Sequence, residues 1–364
     1  MPDTPPHPRT TPVRQQIRFC TAPDGVRLAY AASGKGPSLL RVSSFINHLE
    51  LDWDSPVWRH WQRELSRDHL LVRYDARACG LSDREVAEIS FEAWVRDLET
   101  VADAAGLERF ALLGTSQGAS IAIAYAARHP QRVSHLVLYG GYVRGRFHWG
   151  SQEREEAETM IRLAELGWGK DNPAFRQFFT TQFIPDGTPE QHNWFNELER
   201  VSISPADAAR FMQAANSLDV TKLAPQVRCA TLVLHAHGDA RVPFEEGRRL
   251  AGLIPGSDFV PLDSRNHVLL EDEPAWGRWL EAFRAFVPAA PGQGRPGFGQ
   301  LSPRERELLA LIAKGRDNAQ IAASLGLSDK TVRNHITSIF AKLEVENRGQ
   351  AIVLAREAGF GTAG

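Results

Sequence analysis

Short apolar runs alternate along most of this chain with longer stretches in which apolar residues recur every three or four positions. Ser38–Val42, Leu70–Tyr74, Phe110–Leu113, Val133–Tyr139, Ala230–His235 and Asp258–Leu262 are near-continuous apolar runs, the pattern of strands buried on both faces. Between them, Val57–Ser66, Phe91–Ala105, Ala119–Arg128, Phe244–Leu253 and Pro274–Phe286 carry the helical period. Ile17–Thr21 and Val26–Ala31, joined at Asp24-Gly25, read as an opening hairpin. Strands alternating with helices predict an α/β domain built on a mostly parallel sheet with helices on both faces. The alternation breaks once. From about residue 141 to 227 the sequence is helix-like and rich in aromatics and contains no convincing strand, which predicts a helical cap over one end of the sheet.

A second break lies at residues 288–300, PAAPGQGRPGFGQ, with three Pro and four Gly in thirteen residues. Such a segment has no apolar period with which to hold one conformation, so it predicts a linker. Residues 1–14 are Pro-rich and polar and predict a disordered N-terminal segment. The expected organisation is therefore 1–14 disordered, 15–287 a large α/β domain, 288–300 a linker and 301–364 a small module.

That module reads as four helices. Ser302-Pro303 with Glu305 opens the first, whose apolar face is Leu308, Leu309, Leu311 and Ile312 before Gly315 ends it. The second, about Asn318–Leu325, stops at Gly326. Ser328 caps the third, Asp329–Leu343, with Val332, Ile336, Ile339 and Phe340 on its buried side, and the fourth is about Arg348–Glu357, carrying Ile352, Val353 and Leu354. Two helices around a tight Gly-containing turn, the second longer and basic-polar, describe a helix-turn-helix. Lys330, Thr331, Arg333, Asn334 and Thr337 share the face of the third helix opposite its apolar stripe. Lys and Arg suit phosphate and guanine, and Asn suits adenine or phosphate.

Composition narrows the picture without redirecting it. The 364 residues carry 42 Lys+Arg against 44 Asp+Glu, a net charge of −2, so the whole chain is no polyanion binder. Residues 301–364 alone carry nine basic and seven acidic residues, which predicts weak, salt-sensitive DNA binding by one copy. Cys20, Cys79 and Cys229 are scattered and form no zinc-like spacing. No run approaches the ~18 apolar residues of a membrane span, and the N-terminus lacks the apolar segment of a secretory signal. The expectation is a reduced, cytoplasmic protein with no metal, no cofactor and no membrane contact.

The most specific chemical signal is Gly114-Thr115-Ser116-Gln117-Gly118, between a strand pattern and a helix pattern. A sharp strand-to-helix turn there lifts the Ser116 hydroxyl above the sheet and needs small flanking residues, because a Cβ would crowd the neighbouring backbone. A serine hydroxyl needs a base, and the base needs an orienting carboxylate. Asp239 follows the strand ATLVLHAHG and His267 follows the strand SDFVPLDSRN. Either alone would read as a turn or loop residue. Together they stand in the order serine, acid, histidine, at strand ends on the same sheet edge as Ser116.

With these residues in place, residues 15–287 resemble a capped α/β-hydrolase. Asp75-Ala76-Arg77-Ala78-Cys79-Gly80-Leu81-Ser82 is similar to that family's Asp-x-Arg-Gly-x-Gly-x-Ser loop after the fourth strand. The resemblance implies Ser116 as nucleophile, His267 as general base and Asp239 as its orienting acid. It also implies an oxyanion hole from the backbone amides of Gln117 and Phe45. Two departures stand out: Ser43-Ser44-Phe45 replaces the usual His-Gly-x, which is expected to misshape the hole, and Ala78 replaces a glycine, the milder change. Serine rather than aspartate at 116 disfavours dehalogenase and epoxide-hydrolase chemistry, whereas ester, thioester or lactone cleavage fits. The aromatic cap predicts an apolar ligand. His48, Asp52 and Trp53, after the third strand, read either as bordering the same mouth or, the preferred reading, as a surface loop held by Trp53.

Residues 301–364 are similar to the LuxR-type DNA-binding domain throughout: LSPRE at the start, N-x-x-IA in the second helix, LS-x-KTV-x-x-H into the third and KL-V after it. The resemblance implies Lys330, Thr331, Arg333 and Asn334 at the DNA and self-association through the fourth helix. The expected fold class is an α/β-hydrolase sheet with a helical cap plus a small all-α, four-helix LuxR-type helix-turn-helix domain. No phosphoacceptor receiver pattern precedes it. The expected function is a homodimeric transcription regulator that binds double-stranded DNA. Its hydrolase-like domain would sense a small apolar carbonyl ligand (an ester, thioester or lactone) and, through its triad, hydrolyse it slowly. The alternatives are a working serine hydrolase with an accessory DNA-binding tail, and a catalytically dead ligand-binding sensor.

Overall fold

Among the described residues, eight strands form one sheet in the order β1-β2-β4-β3-β5-β6-β7-β8. They are β1 (Gln16–Thr21), β2 (Arg27–Ser33), β3 (Ser38–Arg41), β4 (Leu70–Tyr74), β5 (Phe110–Thr115), β6 (Val133–Tyr139), β7 (Ala230–Ala236) and β8 (Asp258–Leu262). The computed structural model describes residues 15–170, 172–289, 298, 301–343, 345, 347–357 and 360. The segment 1–14, expected to be disordered, lies outside the described residues. The chain divides into two units, 1–287 and 288–364.

β1 and β2 form the opening hairpin, and β2 runs antiparallel to β4. The pairs β4-β3, β3-β5, β5-β6, β6-β7 and β7-β8 are all parallel. Parallel strands need covering on both faces, which is why their sequences are continuous apolar runs. β5, at the centre, is buried at every position. The helices that cover the sheet are α1 (Leu49–Trp53), α2 (Arg59–Asp68), α3 (Phe91–Ala104), α4 (Gln117–Arg128), α9 (Phe244–Leu253) and α10 (Pro274–Phe286). α4 buries every residue from Gln117 to Ala126, so it sits inside the domain and its apolar residues run all round it.

Among the described residues, the insertion between β6 and β7 holds four α-helices: α5 (Ser151–Gly167), α6 (Pro173–Phe183), α7 (Pro189–Ser202) and α8 (Pro205–Ser217). Three of them start with proline at the first turn behind a side-chain cap, from Asn172, Thr188 and Ser204; proline's fixed φ suits that position and its missing N–H costs nothing there. Gly80 N donates to Ser202 O at 2.9 Å and Arg84 to Val201 O at 2.9 Å, which anchors the insertion onto the loop after β4.

The parallel strands all present their C-terminal ends at one edge. Ala78, in the loop after β4, stands at φ 64°, a backbone region that costs a residue with a Cβ roughly 1–2 kcal/mol. The replacement of glycine there is therefore not mild. Ser44 is not the strained position of its own loop: Ile46 takes the positive φ, 63°. The loop is held from below by Asp75, whose carboxylate accepts from Asn47 Nδ2 at 2.6 Å, Leu49 N at 3.3 Å and Leu81 N at 2.8 Å.

The smaller unit has α11 (Pro303–Ala313), α12 (Asn318–Leu325), α13 (Asp329–Leu343) and α14 (Arg348–Glu357). Leu308, Leu309, Ile312, Ile321, Val332, Ile336 and Ile339 form its core. Phe298, inside the segment expected to be linker, is buried in that core and stacks on Phe360 at 5.4 Å. α14 buries Ala351 and Ala355, while Val353 is 57% exposed. Ile352 and Leu354 are partly buried against the core beside the two alanines, so of the three residues named from the sequence only Val353 faces outward. Glu305 closes the capping box with Ser302 and accepts from Lys342 Nζ at 2.7 Å and Ser338 Oγ at 2.8 Å.

Candidate active site

Ser116 occupies the turn between β5 and α4 at φ 54°, ψ −130°, a conformation that non-glycine residues adopt only where the surroundings enforce it. Gly114 shows how they do so. A Cβ there would lie 2.7 Å from both Ala119 Cα and Gly118 O, inside backbone contact distance. At Gly118 the crowding expected from the sequence is slight, since a Cβ would meet Ser43 O at 3.4 Å.

The loops after β7 and β8 bring the other two residues to the same edge. His267 Nδ1 lies 2.8 Å from Asp239 Oδ2, while Asp239 Oδ1 accepts from the backbone amides of Arg241 at 2.8 Å and Val242 at 2.9 Å. Burial alone would raise the Asp239 carboxyl; the His267 partner, His235 and the amide bonds outweigh it and hold the group below its ordinary value. The ring needs Gly140 after β6, because a Cβ there would stand 3.0 Å from His267 Cε1 at a φ of 57°. The cap contributes as well. His267 N donates to Phe183 O, at the end of α6, at 2.8 Å.

Ser116 and His267 line one cavity, in which the unfilled space is about 60 Å³, room for a few waters. The Ser116 hydroxyl has no hydrogen bond among the described residues. Catalytic serine–histidine contacts are often long before substrate arrives. Of the eleven aromatics between residues 141 and 227, Tyr142, Trp149, Phe183, Phe195 and Phe211 line the cavity; Trp168 and Phe179 are buried in the cap, and Phe178 is exposed.

The two amides expected to form the oxyanion hole are differently placed. Gln117 N, in the first turn of α4, is free to donate. Phe45 N is taken: it donates to the side-chain oxygen of Gln117 at 3.0 Å. The Phe45 ring lies 5.2 Å from Trp168 and 5.1 Å from Phe211, ring centre to ring centre, so this loop is packed onto the cap.

His48, Asp52 and Trp53 do not border this mouth. Asp52 lines a separate pocket with Arg41, Arg73 and Asp75, where burial pushes its carboxyl up to about 6. His48 caps α1, and Trp53 lies under the Arg73 guanidinium at 5.7 Å. Conversely, the cavity is lined by residues that the sequence does not single out, among them two cations, Arg146 and Arg241. Arg241, two residues after Asp239, was visible as a cation beside the acid; nothing in the sequence marks Arg146. Among the described residues no three His, Cys, Asp or Glu side chains are grouped so as to hold a metal ion, and no helix is long and apolar enough to cross a membrane.

In the smaller unit α12 and α13 form the helix-turn-helix, with Gly326 at φ 64° ending α12. Lys330, Arg333, Asn334 and Thr337 are exposed on α13. Thr331 differs, because it is partly buried and its hydroxyl lies 2.8 Å from the capping Ser328 hydroxyl.

Comparison with known proteins agrees with both halves. Residues 47–186 match the family model of the alpha/beta hydrolase fold, and residues 299–355 match that of bacterial regulatory proteins of the luxR family. Pyrrolizixenacetamide deacetylase of Xenorhabdus hominickii is 25% identical over 261 residues, 71% of this chain and 94% of its own. An uncharacterized transcriptional regulatory protein of Bacillus subtilis, YhcZ, is 48% identical over 56 residues, 15% of this chain and 26% of its own. Among solved structures, an esterase from Exiguobacterium antarcticum superposes with a TM-score of 0.64 at 22% identity, over 74% of this chain and 99% of its own. The chain thus joins a domain of the α/β-hydrolase fold to a C-terminal DNA-binding domain of the LuxR family of bacterial regulators.

Proposed function

We propose that the protein is a homodimeric transcription regulator whose hydrolase domain binds a small carbonyl compound, an ester, thioester or lactone, and hydrolyses it slowly. The observation that carries this reading is that His267, hydrogen-bonded to the buried Asp239, shares a cavity with the strained Ser116, in a chain that also carries a LuxR-family domain. Ser116 would attack the carbonyl while His267 takes its proton and Asp239 holds the imidazole in the required tautomer. The amides of Gln117 and Phe45 would receive the oxyanion. Likeness to a deacetylase and an esterase supports carbonyl chemistry. Lys330, Arg333, Asn334 and Thr337 would face the DNA, with Thr331 close to the backbone.

A second reading is favoured by one observation. The Phe45 amide is engaged by Gln117, as it would be in a sensor that binds without turning over. One experiment addresses both. A fluorophosphonate should label the wild type at Ser116 and leave Ser116→Ala untouched, because labelling needs the activated hydroxyl. A gel shift on the DNA upstream of its own coding sequence should then change on labelling in the wild type only. Absence of labelling decides for the non-catalytic sensor; labelling without any change in the shift removes the coupling between the two domains.

A further inference from the structure

The cavity beside Ser116 is not uniformly apolar. Arg146 and Arg241 both line it, and neither has an ion pair among the described residues. Arg146 gives one hydrogen bond, from Nη2 to the backbone oxygen of Arg241 at 2.6 Å. Arg241 gives one from Nη1 to Gln182 Oε1 at 2.8 Å. A guanidinium has five N–H donors, so most of this capacity is unspent. Of the carboxylates that act on the pair, Asp239 is already occupied by His267 and the amides of Arg241 and Val242, and Glu153 and Glu156 act on Arg146 without forming an ion pair with it. Burial, followed by the neighbouring Arg146 charge, pushes Arg241 down to about 10. Two like charges side by side at a low-dielectric wall are unfavourable unless an anion joins them. Their placement is fixed, since the Arg146 guanidinium lies 5.3 Å from the Trp149 ring and that of Arg241 5.6 Å from the Phe183 ring.

We propose that Arg146 and Arg241 form a carboxylate subsite, so that the compound bound over Ser116 is an organic acid with a reactive carbonyl at one end and a carboxylate at the other. The arginine fork matches the planar two-oxygen geometry of a carboxylate. Tyr142 lines the same cavity and interacts electrostatically with both arginines. The aromatic remainder of the lining takes the carbon chain between the two ends. This inference rests on the reading that a ligand occupies the Ser116 cavity, and it replaces a wholly apolar ligand by a bipolar one.

The test compares two esters of equal acyl length on the full chain, 4-nitrophenyl hydrogen glutarate and 4-nitrophenyl valerate, with the uncatalysed rate subtracted. The ratio of their kcat/KM values should favour the acid by about tenfold or more, the scale of one charge-assisted contact. Arg241→Gln and Arg146→Gln should each lower that ratio by about tenfold, and Arg241→Lys should lower it less. A wild-type ratio near one, or a ratio unmoved by either glutamine variant, overturns the proposal. If neither ester is turned over, hydrolysis fails as a function while the subsite is still tested by calorimetry on Ser116→Ala. There 3-phenylpropionate should bind about tenfold more tightly than 3-phenylpropionamide, and Arg241→Gln should erase the difference. Equal affinities, or no binding of either, would overturn it.

Discussion

The backbone amide of Phe45 and the side-chain oxygen of Gln117 are hydrogen-bonded at 3.0 Å, and Gln117 is the residue directly after Ser116. The side-chain carbonyl thus sits where the developing negative charge of a substrate is expected. A bond of this kind contributes about 0.5–1.5 kcal/mol net, and it must break before the amide can serve catalysis. Gln117→Ala keeps the backbone amide at 117 and removes the competitor. Hydrolysis of a short 4-nitrophenyl ester should rise about two- to tenfold in kcat, measured under saturating ester. A kcat at or below the wild-type value would show that the side chain does not compete.

The elbow should respond unequally at its two glycines. A Cβ at position 114 meets backbone at 2.7 Å, and one at 118 makes only contact at 3.4 Å. Gly114→Ala should destabilise the domain by about 1–3 kcal/mol through overpacking that no side chain can relieve. Gly118→Ala should stay within about 1 kcal/mol of wild type. Denaturant melts of the two variants, read by tryptophan fluorescence, give the comparison.

Ala78 at φ 64° is a strained residue with an easy remedy. Ala78→Gly removes the left-handed penalty of roughly 1–2 kcal/mol and restores some chain entropy to the unfolded state. The net gain should be about 0.5–1 kcal/mol, seen as a melting temperature higher by about 1–3 °C. No gain would mean that the loop relaxes around alanine at no cost.

In the smaller unit, burial alone would raise the Glu305 carboxyl, but Lys342 and the Ser302 and Ser338 bonds hold it at about 2. A folded value below the unfolded one, about 4.3, means that its contribution is complete above that pH. It is lost as pH falls toward about 2. Hydrogen exchange of the α11 amides should show the unit loosening over that window. Glu305→Gln should lower its stability by about 1–3 kcal/mol at neutral pH and flatten the acid dependence.

Arg333 is exposed on α13 with no ion pair among the described residues. Arg333→Ala should weaken binding to a specific site by roughly 1–3 kcal/mol if the side chain reads a base. A phosphate contact would weaken specific and non-specific binding alike. Thr331→Val should act instead through the helix cap, because its hydroxyl is engaged by Ser328. Titrations of both variants at two salt concentrations separate these roles, and an Arg333→Ala protein of wild-type affinity at low salt would remove that residue from the interface.

The sequence by itself determined the elements, and the reason is local. β5 reads as a strand because every position is buried, and α12 and α13 start and stop where Asp317, Gly326 and Ser328 cap or break the chain. Ser116, Asp239 and His267 were legible as a trio because each follows a strand, and parallel strands deliver their C-terminal ends to one edge. Tertiary structure alone decided what surrounds them. Arg146 reaches the cavity from the insertion and Arg241 from the loop after β7, and no sequence period reports that two such loops converge. The Gln117 side chain could as well have pointed to solvent; the packing of the Phe45 loop against Trp168 and Phe211 places an amide within its reach. His48, Asp52 and Trp53 went the other way. They lie close in sequence to Phe45, yet the short helix α1 turns Asp52 toward Arg41 and Arg73. Local capping and periodicity act over a few residues, whereas which side chains share a cavity depends on contacts between segments dozens of residues apart, and only the folded chain sets those.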